Sequence, residues 1–410
     1  MNGADRFQLS LDNSGRKKNG IGNVVRTHIC VQGMIPAEVI KSRIFQNTAV
    51  KFLNSINPKR KWFSTKYYWT KSSRQKTDEV LSLHTVDEPT PIIEKLLKHD
   101  CDFLQNKQIH IDVVYEKKER THVILTVNHS LLDYTGIELL LQSISTNEMI
   151  SDLEKKTNKP NSFIKKFIET VQVTFFVAAR SGWAIQALKK SDSPAIPASQ
   201  SILLLNSEWP DSRHKHKGLA LYLAGVCKSL NDHPHLLEKP GLDMFVPTPL
   251  DRRTAELKNT LLSNHLSFLF FKIQSKDLVD VEKTRKLLLQ QILLQAKRNI
   301  PAKFQSLMNL FSYLPAWIYD AFINLPSKGK SSTFAFSALP KSFLANGSFM
   351  DYKVLDYTHY PPFLSPPALN VVFEEVNDGL KITTAYDQKR ISQKELNSLL
   401  LDIKNNLTRN

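Results

Sequence analysis

The chain has 410 residues, above the usual reach of one hydrophobic core, so two domains or two lobes are expected. Hydrophobic residues at 41% and aromatics at 9% argue against intrinsic disorder, and only 13 glycines argue against glycine-rich nucleotide loops as the organising feature. A net charge of +16 points to anionic partners, whether nucleic acid, lipid headgroups, or acidic ligands and proteins.

The opening segment MNGADRFQLSLDN has no basic stretch followed by an apolar core, so no signal peptide is expected. The cysteines, Cys30, Cys101 and Cys227, are far apart and odd in number. They suit neither a disulfide framework nor a metal cluster, and a reducing cytoplasm is the expected setting. VVRTHICVQ from Val24 reads as a strand, and MIPAEVIKSRIFQNTAVKFLNSI from Met34 as a helix. IHIDVVYE and THVILTV are two further strands joined by the charged turn KKER, and GIELLLQSI after them is helical. The long apolar stretch Phe167 to Leu188 is interrupted by Glu169, Gln172, Arg180 and Ser181. It reads as a buried or membrane-surface helix, not a span.

KKSDSPAIPASQ is rich in Ser, Pro and Ala and without periodicity, so residues 191–200 are taken as a crossover between a lobe of 1–190 and a lobe of 201–410. In the second lobe GLALYLAGVCKSL is helical, LDMFVPTPL and HLSFLFFKI are strands, and Ser275 to about Leu325 is mostly helical, broken at Pro301 and Pro315. SSTFAFSALP, a hairpin in ALNVVFEEVNDGLKITTAYD, and the helix SQKELNSLLLDIKNNL complete an α/β (α+β) chain in two comparable halves.

The chemistry centres on NHSLLDYTG, residues 128–136, where a strand gives way to a helix. A histidine at the mouth of a strand is held by secondary structure while its ring projects outward, and it titrates near neutral pH, so His129 suits general-base work. Asp133 could orient that ring, bind a remote cation, or, like Thr135, cap the helix that begins near Gly136. The spacing His-x-x-x-Asp is weak alone, because a single histidine beside an apolar run is more often structural than catalytic.

In context, a strand, His-x-x-x-Asp, a small-residue turn and an apolar helix resemble the HHxxxDG motif of the CoA-dependent acyltransferase superfamily. That superfamily includes chloramphenicol acetyltransferase, condensation domains, wax ester synthases and alcohol acetyltransferases. His129, Asp133 and Gly136 match, Asn128 replaces the first histidine, and Tyr134 replaces the glycine after the aspartate. FQLSLDN resembles the family's opening segment, and FVPTPLDRR followed by NHLSFLFFKI resembles its second-lobe element. SSTFAFSALP stands where the family has a Ser-Asn strand, with Ala338 in place of the asparagine. A DFGWG element is absent, which argues against the plant BAHD branch.

The resemblance implies two chloramphenicol-acetyltransferase-like lobes, each a mixed sheet flanked by helices, with the active site in a channel between them. It implies His129 as base in direct transfer from a thioester, without an acyl-enzyme, which fits a chain with no nucleophile elbow. Asp133 would be structural, paired with Arg252 or Arg253, with Arg26 as a further candidate. Ser337, or a backbone N–H near Asp133 or Tyr134, would serve the oxyanion. No cofactor is expected to bind tightly; the co-substrate would be acyl-CoA or a phosphopantetheinyl thioester on an acidic acyl carrier protein. The acceptor would be an alcohol, phenol or amine. A cytoplasmic monomer is expected, with peripheral contact at the inner face of the membrane left open.

Two other features are read as surface. Pro58 to Lys76 interleaves lysines and arginines with Trp62, Phe63, Tyr67, Tyr68 and Trp69. This composition fits a strand or loop with its aromatics packed inward, or docking of an acidic carrier protein, headgroup layer or nucleic acid. His214 and His216 lack cysteine or carboxylate partners nearby and make a poor metal site, so no metal is expected. The rival to an enzyme is a non-catalytic member of the fold that binds a carrier protein or lipid through its basic surface, with nucleic acid third.

Overall fold

The computed structural model describes residues 1–60, 66–71, 79–103, 107–117, 119–154, 163–181, 186–190, 193–209, 218–315, 318–319 and 332–408. His214, His216, Trp62 and Phe63 lie outside the described residues.

In chain order the elements are α1 (Gly3–Asn19), β1 (Val24–Gln32), α2 (Ala37–Gln46), α3 (Thr48–Ser55), β2 (Ile56–Arg60), β3 (Tyr67–Lys71), β4 (Leu81–Val86), α4 (Thr90–Leu96), β5 (Ile109–Glu116), β6 (Arg120–Asn128) and α5 (Tyr134–Thr146). There follow α6 (Phe163–Ser181), β7 (Pro197–Leu205), α7 (Leu219–Asn231), β8 (Met244–Asp251), β9 (Leu266–Ile273), α8 (Val281–Lys297), α9 (Ile300–Phe311) and β10 (Ala335–Leu339). The chain ends with β11 (Ser348–Phe349), β12 (Tyr352–Tyr360), β13 (Leu369–Val376), β14 (Gly379–Asp387) and α10 (Gln393–Thr408).

These elements group into two compact units that are not consecutive in sequence. Unit 1 is Met1–Pro160 with Arg252–His265 and Lys341–Pro362, and unit 2 is Asn161–Asp251, Leu266–Pro340 and Phe363–Asn410. The division differs from consecutive lobes meeting at 191–200. Helix α6 buries Val173 and Phe176 against Phe245, Phe270 and Leu307 of unit 2. The stretch read as a crossover becomes strand at Pro197, because β7 pairs along its length with β14.

Unit 1 is built on a six-stranded mixed sheet in the order β11-β12-β1-β6-β5-β4. β1 is antiparallel to β12 and β6, β5 is antiparallel to β6, and only β4 runs parallel to its neighbour, β5. Strand alternation puts Val114 and Ile124 on one face, where Leu96 of α4 covers them. The single helix expected from Met34 is two, α2 and α3, because Asn47 ends the first and caps the second through the N–H groups of Ala49 and Val50. Helix α1 begins with a capping box, Asn2 bonding the N–H of Asp5 and Asp5 bonding back.

Unit 2 holds a four-stranded sheet, β10-β13-β14-β7, and the separate hairpin β8–β9. Its core joins Leu221 and Leu230 of α7, Leu288 of α8, Phe373 of β13 and Leu399 of α10. The helical break placed at Pro301 falls two residues earlier, at Asn299 in left-handed backbone. Pro301 itself sits in the first turn of α9, where its missing N–H costs nothing.

Candidate active site

Strand β6 is central in its sheet and buried from Thr121 to Asn128, so its end is fixed by neighbours on both sides. The next residue continues the ladder by one rung: the His129 N–H donates to the Asn23 carbonyl at 2.8 Å. The chain then turns, with the Leu131 N–H returning to the Asn128 carbonyl at 3.0 Å, and enters α5 with Asp133 as its N-cap. The turn is also paired with the connection between β8 and β9. Ser263 donates its N–H to the Leu131 carbonyl at 2.9 Å, beside a parallel bridge between Leu132 and Ser263.

This path fixes the state of the histidine ring. His129 Nδ1 lies 2.8 Å from the Leu132 carbonyl oxygen. A carbonyl only accepts, so Nδ1 carries the proton and Nε2 presents a lone pair. Burial lowers the His129 pKa below the ordinary 6.5, outweighing the upward pull of the Leu132 carbonyl and the Asp133 charge, so the ring is neutral at pH 7.

Asp133 is spent on structure. Its Oδ1 accepts from the Gly136 N–H at 2.9 Å and from Arg253 Nη2 at 2.6 Å, and its Oδ2 accepts from the His265 N–H at 2.9 Å. Arg253 is 4% exposed and also donates through Nη1 to the carbonyls of Leu257 and Thr260 at 3.0 and 2.7 Å. Of the three arginines named from sequence, Arg253 is therefore the partner. Arg252 is exposed and contributes its main-chain N–H to the His265 carbonyl, while Arg26 donates to the carbonyls of Val24 and His99.

The two departures from the motif are both absorbed by packing. Asn128 is fully buried; its Nδ2 donates to Asp12 Oδ1 at 3.1 Å and to the Cys101 carbonyl at 3.4 Å, and its Oδ1 accepts from the Ser130 N–H and hydroxyl. Tyr134 opens α5 without disturbing the cap, and its ring stands edge-on to His359 with centroids 5.2 Å apart. His359 faces Glu138 at 3.2 Å, and Glu138 holds the Ser342 hydroxyl and Phe343 N–H. Gly136 is required by close approach, since a Cβ there would sit 2.9 Å from the Leu261 carbonyl oxygen. Ser337 lies half-buried on β10 in unit 2, opposite Val372.

Asn264 was quoted in sequence only as the start of a strand. Its Nδ2 donates to the carbonyls of His129 and Ser130 at 3.1 and 3.0 Å, and its N–H donates to Asp5 Oδ1 at 2.6 Å. Asp5 and Asp12, both on α1, thus reach the motif through Asn264 and Asn128. Nothing in the local pattern of FQLSLDN signals that role.

Comparison with known proteins agrees with this architecture. Family models and curated proteins give no match to the chain. Solved structures do. The trichothecene 15-O-acetyltransferase of Fusarium sporotrichioides is similar at a TM-score of 0.70 and 12% identity, over 99% of this chain and 93% of that one. The first condensation domain of the CDA synthetase is similar at 0.71 and 10%, over 100% and 95%. The starter condensation domain of rhizomide synthetase, in complex with C8-CoA and Leu-SNAC, is similar at 0.65 and 10%, over 99% and 93%. With a His-x-x-x-Asp turn at the end of a central strand, mixed sheets flanked by helices, and likeness along nearly the whole chain, this protein has the fold of the CoA-dependent acyltransferase superfamily, condensation domains included.

Proposed function

We propose that the protein is an acyltransferase that moves an acyl group from a thioester to a hydroxyl or amine, with His129 as general base. The observation that carries this reading is the His129 tautomer. Nδ1–H is tied to the Leu132 carbonyl, burial favours the neutral ring, and Nε2 is left with the lone pair. The names of the similar structures support the substrate class, since one is an O-acetyltransferase and another was solved with C8-CoA.

The acceptor gives its proton to Nε2 as its oxygen or nitrogen attacks the thioester carbonyl. The tetrahedral oxyanion collapses, the C–S bond breaks, and the leaving thiolate takes the proton from Nε2. A main-chain N–H by Asp133 or Tyr134 would stabilise the oxyanion. The cysteines fit direct transfer. All three are buried, and burial pushes the Cys30 thiol up to about 11 and those of Cys101 and Cys227 further up, leaving no thiolate to form an acyl-enzyme. Ser130, fully buried and bonded to Asn128, is no nucleophile either.

The charge of +16 suits either the phosphates of CoA or an acidic carrier protein as donor. The test is thiol release from acyl-CoA and carrier-bound donors against a panel of alcohols, phenols and amines. Replacing His129 with Ala should cut turnover by roughly 10²–10⁴-fold with the circular dichroism unchanged. Turnover equal to that of the unaltered protein would sink the assignment.

A further inference from the structure

Three histidines outside the His-x-x-x-Asp turn converge on one buried carboxylate in unit 1. Asp112 lies on β5 with a fully buried side chain, and the same strand carries His110 two residues earlier, on the same face. His84 comes from the neighbouring β4, and His99 from the segment after α4. His110 Nε2 is 3.3 Å from Asp112 Oδ1, His99 Nδ1 is 3.3 Å from Oδ2, and His84 Nε2 is 3.2 Å from Oδ1.

We propose that His99, His110 and Asp112 form a binding site for one divalent transition-metal ion, with zinc the best fit to a donor set of two imidazoles and a carboxylate. The proposal is independent of the acyltransferase reading. Its central observation is the convergence of three donor atoms, one each from His99, His110 and Asp112, within 4.8 Å of one another. His110 Nδ1 lies 3.0 Å from the Glu79 carbonyl oxygen and must carry the proton, so in the neutral ring Nε2 points a lone pair at the Asp112 carboxylate. A cation shared by the two, whether a metal ion or the proton of an imidazolium, reconciles them, and the Ser82 hydroxyl, 3.1 Å from Nε2, competes for the same lone pair. A backbone carbonyl holding the far N–H of a ligating histidine is the usual support of a metal site.

The distances argue the same way. Charge-assisted bonds from imidazolium to carboxylate run about 2.7–2.9 Å. The 3.3 Å contacts of His99 and His110 are long for that, but they match neighbouring donors about 2.0–2.1 Å from a tetrahedral zinc, which stand roughly 3.3–3.4 Å apart. Donor atoms of His99, His110 and Asp112 all lie within 4.8 Å of one another. His99 is 41% exposed, so its ring can turn to close the set and leaves an entry path, with water as fourth ligand. His84 stands outside the three and contacts the carboxylate at Oδ1, and the Ser82 hydroxyl, 3.1 Å from His110 Nε2, would have to turn aside when a metal binds. Arg26 holds the His99 carbonyl and so places the ligand segment.

No metal spacing is visible in sequence, because the donors are spread over residues 99–112 and two elements. The proposed site departs from the expectation, drawn from sequence, that no metal binds. The site would pin the segment after α4, whose Cys101 carbonyl accepts from Asn128, to the edge of the sheet.

The test uses the full chain, desalted after expression with zinc, and reads metal by mass spectrometry. About one zinc per chain is expected. EDTA should lower the melting temperature by about 3–5 °C, and ZnCl2 should restore it. The double variant His99→Ala/His110→Ala should hold less than a tenth of that zinc, and His129→Ala should hold all of it. The unaltered protein decides the matter whether or not the double variant folds. Zinc below a tenth per chain, no melting shift with ZnCl2, and nitrogen NMR showing both His110 ring nitrogens protonated would overturn the site in favour of a plain imidazolium–carboxylate cluster.

Discussion

Arg253 Nη2 lies 2.6 Å from Asp133 Oδ1, and the guanidinium that makes this contact is only 4% exposed. The pair joins residues 120 positions apart and ties the connection between β8 and β9 to the cap of α5. Removing one partner of such a pair strands the other charge out of water, which typically costs about 3–5 kcal/mol. Asp133→Ala also removes the cap, worth about 1 kcal/mol. That variant should therefore fall below the unaltered protein by at least about 3 kcal/mol in urea unfolding. Combining it with Arg253→Met should recover part of the loss, because no charge is then left unpaired. A double variant as unstable as the sum of the two singles would show that the pair is not coupled.

The second prediction is the pH profile. The base role proposed for His129 requires the neutral ring, and burial lowers its pKa below the ordinary 6.5. Rate should thus rise with pH, with the acid limb of kcat/KM centred below 6.5 and a plateau through neutrality. The Asp133 charge pulls that pKa upward, so Asp133→Asn, which removes the charge, should move the limb further to acid. A limb above 6.5, or one that moves to higher pH in Asp133→Asn, would contradict this electrostatic account.

Asn264 supplies the third. It holds the main chain of His129 and Ser130 from outside the turn. Asn264→Ala should cost about 1–3 kcal/mol, because buried carbonyls lose their donor. As a positioning residue it should lower kcat while leaving KM and the midpoint of the acid limb unchanged, since the ring keeps its bond to Leu132. An altered midpoint at unchanged kcat would place Asn264 in another role.

What the sequence discloses follows from which residues are apolar. Strands β1, β5 and β6 and helix α7 are legible because apolar residues make up half or more of their buried positions. Helix α1 is not, because it buries Asp5, Arg6, Gln8, Ser10 and Asp12, which hydropathy reads as surface. Two of them, Asp5 and Asp12, support the turn through Asn264 and Asn128. The turn at His129 is visible as a motif, whereas Asn264 and the carboxylates of α1 act through contacts 116 and more residues apart. The basic and aromatic stretch shows the same limit. Trp69 donates to Asp5 at 3.3 Å and Arg6 stacks on Tyr67 at 4.3 Å, so these rings pack against α1.

Tyr134, where the superfamily motif has glycine, gives the last prediction. A tyrosine there could narrow the site or bend the turn. The turn is intact, for Asp133 keeps extended backbone at φ −82 and ψ −178 and caps α5. The ring is committed to His359, which is 5% exposed and lies 3.2 Å from Glu138. An edge-on aromatic pair of this kind is worth about 0.5–1.5 kcal/mol beyond its buried area. Tyr134→Gly should therefore lower stability by about 1–2 kcal/mol while changing kcat/KM for small and bulky acceptors alike by less than about threefold. Comparing acceptors of graded size in that variant separates the two roles. A rise confined to bulky acceptors would mean that the ring closes the acceptor side of the site, and that its contact with His359 serves selection more than folding.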